Sequence, residues 1–112
     1  MSAAPNPPTI CACVQTVSRI TGIPYEHIIG AGRRSGRSLG RPRQLAMWLA
    51  HKVTGKSLGQ IGLVMDRDHT TVMYAIRRID TLRDEGDRKM IEWSDAALRQ
   101  VMADPRQVEM AL

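Results

Sequence analysis

Along most of the chain, apolar residues recur every three or four positions, the spacing that places them on one face of an α-helix. The pattern predicts a helix from about residue 9 that Gly22 ends, a short turn at "PYEHIIG", and four further helices. These four run from Pro42 to Gly55, from 57 to 65, from 69 to 83 and from about 87 to 103. No strand pattern and no internal repeat competes, so the predicted fold class is all-α, a small helical bundle.

Residues at the predicted helix ends support these limits. Pro42 suits the first turn of a helix, Gly55 is a helix stop, and Ser57 and Asp68 are good N-caps. Two sets of residues are expected to face inward from the helices that follow these caps: Leu58, Ile61, Val64 and Met65 in the shorter, and Val72, Ala75, Ile76, Ile79 and Leu82 in the longer.

The chain is expected to divide into four parts. Residues 1–8, rich in Pro, Ala and Asn, predict a disordered arm. A domain over residues 9–85 follows, then an additional C-terminal helix over 86–104 and a tail over 105–112. The start lacks a signal-peptide pattern, and no stretch reaches the ~20 apolar residues of a membrane span. We therefore expect a cytoplasmic protein with no membrane partner.

The distribution of charge indicates the kind of partner. Sixteen Lys and Arg residues stand against eleven Asp and Glu, giving a formal net charge of +5, and the isoelectric point is near 9.9. A chain this basic is expected to bind a polyanion. Five arginines lie in "RRSGRSLGRPR" with no acid among them, whereas most of the acids follow residue 79. The glycines and serines over residues 32–40 predict a mobile loop.

Two short motifs resemble sites that the surrounding sequence does not support. "TGKS" ends like a phosphate-binding loop, but Ala50 stands where that loop needs a glycine, and a helix precedes it where the loop needs a strand. Cys11 and Cys13 have no second Cys or His pair at metal-ligand spacing, so we expect buried, reduced thiols. The sequence predicts no nucleotide, no metal and no other cofactor.

The run "RDHTT" places an acid, a histidine and two hydroxyls side by side. A hydrolytic site would need Asp68 to orient His69 and His69 to activate Thr70, but neighbours on a helix point about 100° apart. A metal site would need a ligand three or four residues after His69, where Val72 and Met73 stand. We therefore expect no catalytic residues and no enzyme.

The helices 57–65 and 69–83, joined by a tight turn, predict a helix-turn-helix, whose second helix lays its first residues against base edges in the DNA major groove. Thr can donate, accept or touch a thymine methyl there, and Asp can accept from a cytosine amine. Taken alone, these residues are explained equally well if Asp68 only caps the helix and His69, Thr70 and Thr71 only solvate its end. The arginine-rich loop favours DNA, because arginines on a Gly- and Ser-rich arm suit a narrow minor groove.

The runs "RPRQLAMWLAHKVTGKSLGQIG" and "RDHTTVMYAIRRID" are the most distinctive in the chain. In this helical setting they resemble the C-terminal DNA-binding domain of the bacterial replication initiator DnaA. The resemblance extends more weakly back to about residue 10 and covers about two thirds of the chain. It implies double-stranded DNA as the partner and a short asymmetric DnaA box as the site, with the protein associated with the nucleoid.

The resemblance implies a role for each matching residue. The family's readers of the major groove are matched by Asp68, His69, Thr70 and Thr71. The arginine that enters the minor groove is matched by Arg34, with one residue inserted in the loop near Gly36, and is flanked by Arg33 and Arg37. The family positions that contact the DNA backbone correspond to, or lie next to, Arg41, Arg43, Gln44, His51, Lys52, Lys56, Leu58 and Arg67.

The chain departs from the family in three places. His51 stands where many members have a lysine, and the turn "MD" before the signature is one residue shorter than usual. The initiator's ATPase module has no counterpart in the residues before the signature. This predicts a free-standing reader of a DnaA-box-like site that regulates transcription or replication, without ATPase or origin-melting activity.

A second interpretation belongs to another class of protein. The chain could be an interaction adaptor that keeps the fold and docks a partner, or a second copy, through its C-terminal helix, with Trp93 or Met90 exposed for the purpose. RNA binding is a third interpretation, and the sequence lacks the aromatic stacking platform that readers of single strands use.

Overall fold

A computed structural model describes residues 8–29 and 40–103. These residues form six helices: α1 (Ile10–Thr21), α2 (Tyr25–Ile29), α3 (Gly40–Thr54), α4 (Leu58–Met65), α5 (His69–Asp84) and α6 (Arg88–Met102). The described ranges contain no strand, and the all-α prediction is confirmed. Apart from Pro8 and Gly40, the predicted arm (1–8), mobile loop (32–40) and tail (105–112) lie outside the described residues.

The helix ends follow from particular residues. Gly22 ends α1 in left-handed backbone (φ 79°), and its N–H donates to the carbonyl oxygen of Ser18 at 2.8 Å. α3 begins at Gly40, two residues before the predicted start at Pro42. The proline fits there because the first turn of a helix does not use the backbone N–H that proline lacks. Gly55, also left-handed (φ 75°), follows the end of α3, as predicted for "TGKS".

The hydrophobic core lies where α3 packs against α1 and α5, and α6 packs against all three. Its largest fully buried side chains are aliphatic, as a chain without phenylalanine requires, and include Ile28, Leu45, Leu49, Ile61 and Ile79. α4 packs mainly on α5. The core therefore fixes α5 from one side and leaves the other side to solvent.

Two predictions of burial are wrong. Val64 is 39% exposed, because Ile61 and Met65, four residues apart, supply the buried line of the short helix α4 and Val64 lies to one side of it. Cys11 is exposed, because it points away from the face of α1 that carries Cys13 into the core. Burial raises the pKa of the Cys13 thiol to about 12, as expected for an inert structural cysteine.

α6 is part of the core. Met90, which only the adaptor interpretation takes as exposed, is 3% exposed and lies in a cleft that Leu82 and Pro42 also line. Trp93 is half-buried at the same cleft. The Arg83 guanidinium joins α6 to α5, because its Nη1 lies 2.8 Å from the Asp95 carboxylate. Met90 is therefore not available to a partner in this fold.

Candidate nucleic-acid interface

α4 and α5 form a helix-turn-helix. Ser57 begins α4 with a capping box: its hydroxyl accepts from the Gln60 N–H at 3.1 Å, and the Gln60 side chain accepts from the Ser57 N–H at 2.9 Å. α4 ends at Met65, and Asp66 adopts left-handed backbone (φ 56°, ψ 49°). Left-handed backbone is uncommon outside glycine, and aspartate is among the residues that tolerate it best. The turn "MD" thus reverses the chain with a single left-handed residue.

The turn brings the backbone of Arg67 against α4. The Arg67 N–H donates to the Gly62 carbonyl oxygen at 2.9 Å. A Cβ built on Gly62 would collide with the carbonyl oxygen of Arg67 and lie 3.4 Å from its carbonyl carbon. Only glycine fits here without a shift of the backbone, so Gly62 sets how closely α5 follows α4.

Asp68 begins α5. Its carboxylate caps the helix by accepting from the Thr70 N–H at 3.4 Å, and it also accepts from the Thr70 hydroxyl. The hydrogen bonds from Thr70, the side-chain bond first, hold the pKa of this exposed carboxyl below its ordinary value. Asp68 is therefore ionised at neutral pH, and it orients Thr70 before any ligand is present.

The four residues predicted to read the major groove lie together at the N-terminal end of α5. His69, Thr70 and Thr71 are exposed, and so is Asp68. Val72, the next residue, is fully buried and anchors the first turn of α5 in the core. The polar groups at this end thus sit on a rigid support and face solvent, as base readout requires.

Arg67 lies in the turn before α5, and Arg43 on α3 is close enough for the two charges to interact. The Arg43 guanidinium donates from Nη2 to the His27 carbonyl oxygen at 2.9 Å, and the Arg67 guanidinium donates from Nη1 to the Asp66 carbonyl oxygen at 2.8 Å. Partial burial, and then the charge of Arg67, lower the pKa of Arg43. Two like charges this near raise the local positive potential, which attracts an anion such as a phosphate.

The other residues predicted to contact the DNA backbone are spread over α3 and the start of α4. Arg41 is exposed and donates to the Gln44 side-chain oxygen at 2.9 Å, while His51 and Lys56 are exposed on the surface. Leu58 is half-buried and packs on the core. The predicted minor-groove residues Arg33, Arg34 and Arg37 lie outside the described residues.

Lys52 is held by an acid on the helix behind it. Its Nζ lies 3.8 Å from Asp80 and 5.7 Å from the centre of the Trp48 ring. Asp80 also accepts from the Trp48 indole N–H at 2.8 Å, and the Arg83 guanidinium lies 5.4 Å from the same ring. This group joins α3 to α5. A contact from Lys52 to a phosphate would have to compete with Asp80.

The geometry gives no support to hydrolytic or metal chemistry at "RDHTT". The His69 Nδ1 lies 3.7 Å from the Asp68 carboxylate, and both side chains are 64% exposed, so solvent screens the pair. Across residues 8–29 and 40–103, no three His, Cys, Asp or Glu side chains are grouped so that they could hold a metal ion. No helix in the same ranges is long and apolar enough to cross a membrane.

The sequence did not predict two exposed apolar residues near the N-terminal end of α5. Leu63 is 84% exposed and lines an open groove with Gly59, Asp66 and His69, and Tyr74 is 62% exposed on α5. The sequence did carry a signal that Tyr74 is exposed. Tyr74 stands four residues after Thr70 and three after Thr71, on the helix face opposite the apolar stripe. The joint between Trp48 and Asp80 had no sequence signal, since 32 residues separate the partners.

Known proteins are similar to this chain in sequence. The family model described as "Bacterial dnaA protein helix-turn-helix" matches residues 11–79. Similar proteins include the chromosomal replication initiator proteins DnaA of Caulobacter vibrioides (strain NA1000 / CB15N), 55% identical over 53 residues, and of Acinetobacter baumannii (strain ATCC 17978), 44% identical over 72 residues. The alignments cover 46% and 63% of this chain, and 11% and 15% of those relatives. The family match includes all of α4 and the N-terminal end of α5, and it ends before α6.

Proposed function

Because the chain belongs to the bacterial DnaA helix-turn-helix family, we propose that it binds double-stranded DNA at a DnaA-box-like site and reads the sequence of that site. The observation that carries the proposal is the row of exposed polar side chains from Asp68 to Thr71 at the N-terminus of α5. Their donors and acceptors match those that base edges present in the major groove.

The proposal assigns different tasks to the two kinds of residue around α5. The polar row reads bases, whereas Arg43 and Arg67 hold phosphates and set the depth at which α5 enters the groove. The arginine-rich segment that precedes α3 in the sequence supplies the minor-groove contact, with Arg34 as its principal residue. Binding through about five or six phosphates gives a slope of log K against log salt near −5, at ~0.9 per phosphate.

We further propose that the 112-residue chain regulates transcription or replication by occupying such sites, without ATP hydrolysis or origin melting. The chain spans 11% and 15% of the length of the two relatives described above, and their matched part is the helix-turn-helix region. Occupancy alone is enough to exclude another protein from the same duplex. An assay of ATP hydrolysis by the purified chain, with and without box DNA, tests this part.

The main test is fluorescence anisotropy of a labelled duplex carrying a DnaA box, against a scrambled duplex of the same composition, at physiological salt. The proposal expects the box to bind at least ~100-fold more tightly, about 2.7 kcal/mol. Equal affinity for the two duplexes would refute sequence reading. The salt slope, measured on the same duplexes, separates phosphate contacts from base contacts.

The adaptor interpretation has less support than before, because Met90 lies in the core. Half-buried Trp93, with the Lys89 amine 4.7 Å from its ring centre, remains on the outer part of α6. An adaptor is expected to elute from heparin at low salt and to show no preference between duplexes. Heparin elution and the preference between the two duplexes therefore decide between an adaptor and a DNA-binding protein.

A further inference from the structure

Tyr74 is a large side chain left in solvent on the recognition helix. It is 62% exposed, whereas the residues that follow it, Ala75 and Ile76, are 1% and 8% exposed. Along α5 the residues that anchor the helix and the residues that face outward therefore alternate with helical spacing. An exposed tyrosine on a helix that docks on a ligand is typical of a contact residue, because its ring is apolar and its hydroxyl is polar.

Tyr74 continues the row of reading residues by one helical turn. At about 100° per residue it lies about 40° around the helix from Thr70 and about 60° from Thr71, between the two when viewed along the axis. With a rise of ~1.5 Å per residue it is ~7.5 Å along the axis from His69. The major groove is ~12 Å wide, so a helix that inserts its first turn also brings Tyr74 within the groove.

A basic residue follows on the same face. Arg77 is exposed and stands one turn beyond Tyr74, about 12 Å along the axis from His69. That distance places a guanidinium near the edge of the groove, where phosphates lie. Along α5, Tyr74 thus stands between the hydrogen-bonding groups of the first turn and the cation of Arg77. A side chain placed there faces base edges, which are polar or carry the apolar thymine methyl according to the DNA sequence.

We propose that Tyr74 is a further specificity-determining residue, whose ring packs on the C5-methyl group of a thymine in the box, next to the bases that Thr70 and Thr71 read. The inference rests on the proposed function and extends it to a fifth reading position. Apolar contact with the thymine methyl distinguishes thymine from the other three bases in the major groove.

The test uses the full chain, two duplexes and four proteins: wild type, Tyr74→Ala, Tyr74→Phe and Met102→Ala. Met102, 59% exposed on α6, is the matched control for loss of an exposed apolar side chain. Affinities are measured by anisotropy for the box and the scrambled duplex. Thermal melting, followed by circular dichroism, checks that each variant folds as the wild type does, as an exposed position allows.

Tyr74→Ala is expected to weaken box binding about 10-fold, with little change on the scrambled duplex. Tyr74→Phe and Met102→Ala are expected to bind within about 2-fold of wild type, because the ring makes the contact and α6 makes none. Box duplexes in which one thymine at a time is replaced by deoxyuridine then locate the methyl group. At one position, replacing thymine by deoxyuridine is expected to lower the affinity of the wild type about 4-fold, the effect of one buried methyl group. The same replacement is expected to leave the affinity of Tyr74→Ala unchanged.

Each alternative outcome has a separate meaning. If Tyr74→Ala lost equal affinity for the box and the scrambled duplex, the contact would be independent of sequence and the thymine contact would be overturned. If Tyr74→Phe lost as much affinity as Tyr74→Ala, the hydroxyl would make the contact, and the thymine contact would again be overturned. A wild-type preference for the box that Tyr74→Ala leaves unchanged would overturn the inference and leave the proposed function intact. No preference in the wild-type protein would overturn both.

Discussion

Gly62 and Arg67 touch through their backbones at the turn of the helix-turn-helix, and there is no room for a side chain between them. This contact fixes the angle at which α5 leaves α4. The positions of the residues proposed to read DNA therefore depend on a glycine that itself has no side chain to contact DNA.

Gly62→Ala is expected to lower the free energy of unfolding by about 1 to 3 kcal/mol, the usual range for overpacking, and to weaken box binding as α5 shifts. Gly59→Ala on the same helix is the control, because a Cβ there meets only the Ser57 Oγ at 4.0 Å. Its stability should be unchanged or higher by a few tenths of a kcal/mol to about 1 kcal/mol, since alanine favours helix. Urea denaturation of both variants checks this; equal stabilities would contradict the close approach.

The joint between α3 and α5 gives the second prediction. Asp80→Ala removes the acceptor of the Trp48 indole N–H and is expected to destabilise the fold by about 1 to 2 kcal/mol, because that donor is buried. Lys52→Ala removes the exposed ion-pair partner of Asp80 and the amine near the Trp48 ring, and it should cost less than about 1 kcal/mol. Thermal unfolding of the two variants tests this order, and a loss in Lys52→Ala as large as that in Asp80→Ala would contradict a main role for the indole hydrogen bond.

The cap of α5 predicts a pH dependence. The Asp68 pKa is lowered in the folded state, so ionised Asp68 stabilises the fold at neutral pH, and this contribution is lost as the pH falls through the folded value, below 3.8. A carbon-13 NMR titration of the Asp68 carboxyl should show a midpoint below 3.8. In Thr70→Val, which removes the hydroxyl donor and keeps the shape, the midpoint should rise. A wild-type midpoint at or above the ordinary value is the contrary result.

Phosphate and base contacts should respond differently to substitution. Arg43→Ala is expected to weaken box and scrambled duplexes alike and to reduce the salt slope by about 1. Thr71→Ala is expected to lose about 1 to 3 kcal/mol of discrimination and to leave the slope unchanged. Arg99→Ala, an equal loss of charge on α6, is the control for general electrostatics. If Arg43→Ala changed sequence preference and Thr71→Ala did not, the two roles would be reversed.

Local signals account for what the sequence predicted correctly. Ser57 and Asp68 are strong N-caps, and the apolar stripe of α5 has the spacing of a buried helix face, so the helix-turn-helix could be located within a residue or two. The polar row at the start of α5 followed from the same spacing. These features depend on residues within one or two turns of each other.

The errors and omissions depend on distant contacts. Val64 and Met90 are both apolar and both at helical spacing, yet one is exposed and the other buried, because neighbouring helices decide which part of an apolar stripe is covered. The left-handed backbone of Asp66 could not be inferred from a two-residue turn without the close approach of Arg67 to Gly62. The predicted roles of Arg33, Arg34 and Arg37 remain predictions.

The division of α5 into two faces has a consequence for how such a protein can change over time. Val72, Ala75 and Ile79 hold the helix in the core, whereas His69, Thr70, Thr71 and Tyr74 are exposed. Substitutions at His69, Thr71 and Tyr74 leave both the core and the Asp68 cap in place, so under the proposed function new binding preferences can be selected without loss of folding. The same scaffold is therefore a suitable starting point for directed evolution of readers for other short duplex sites.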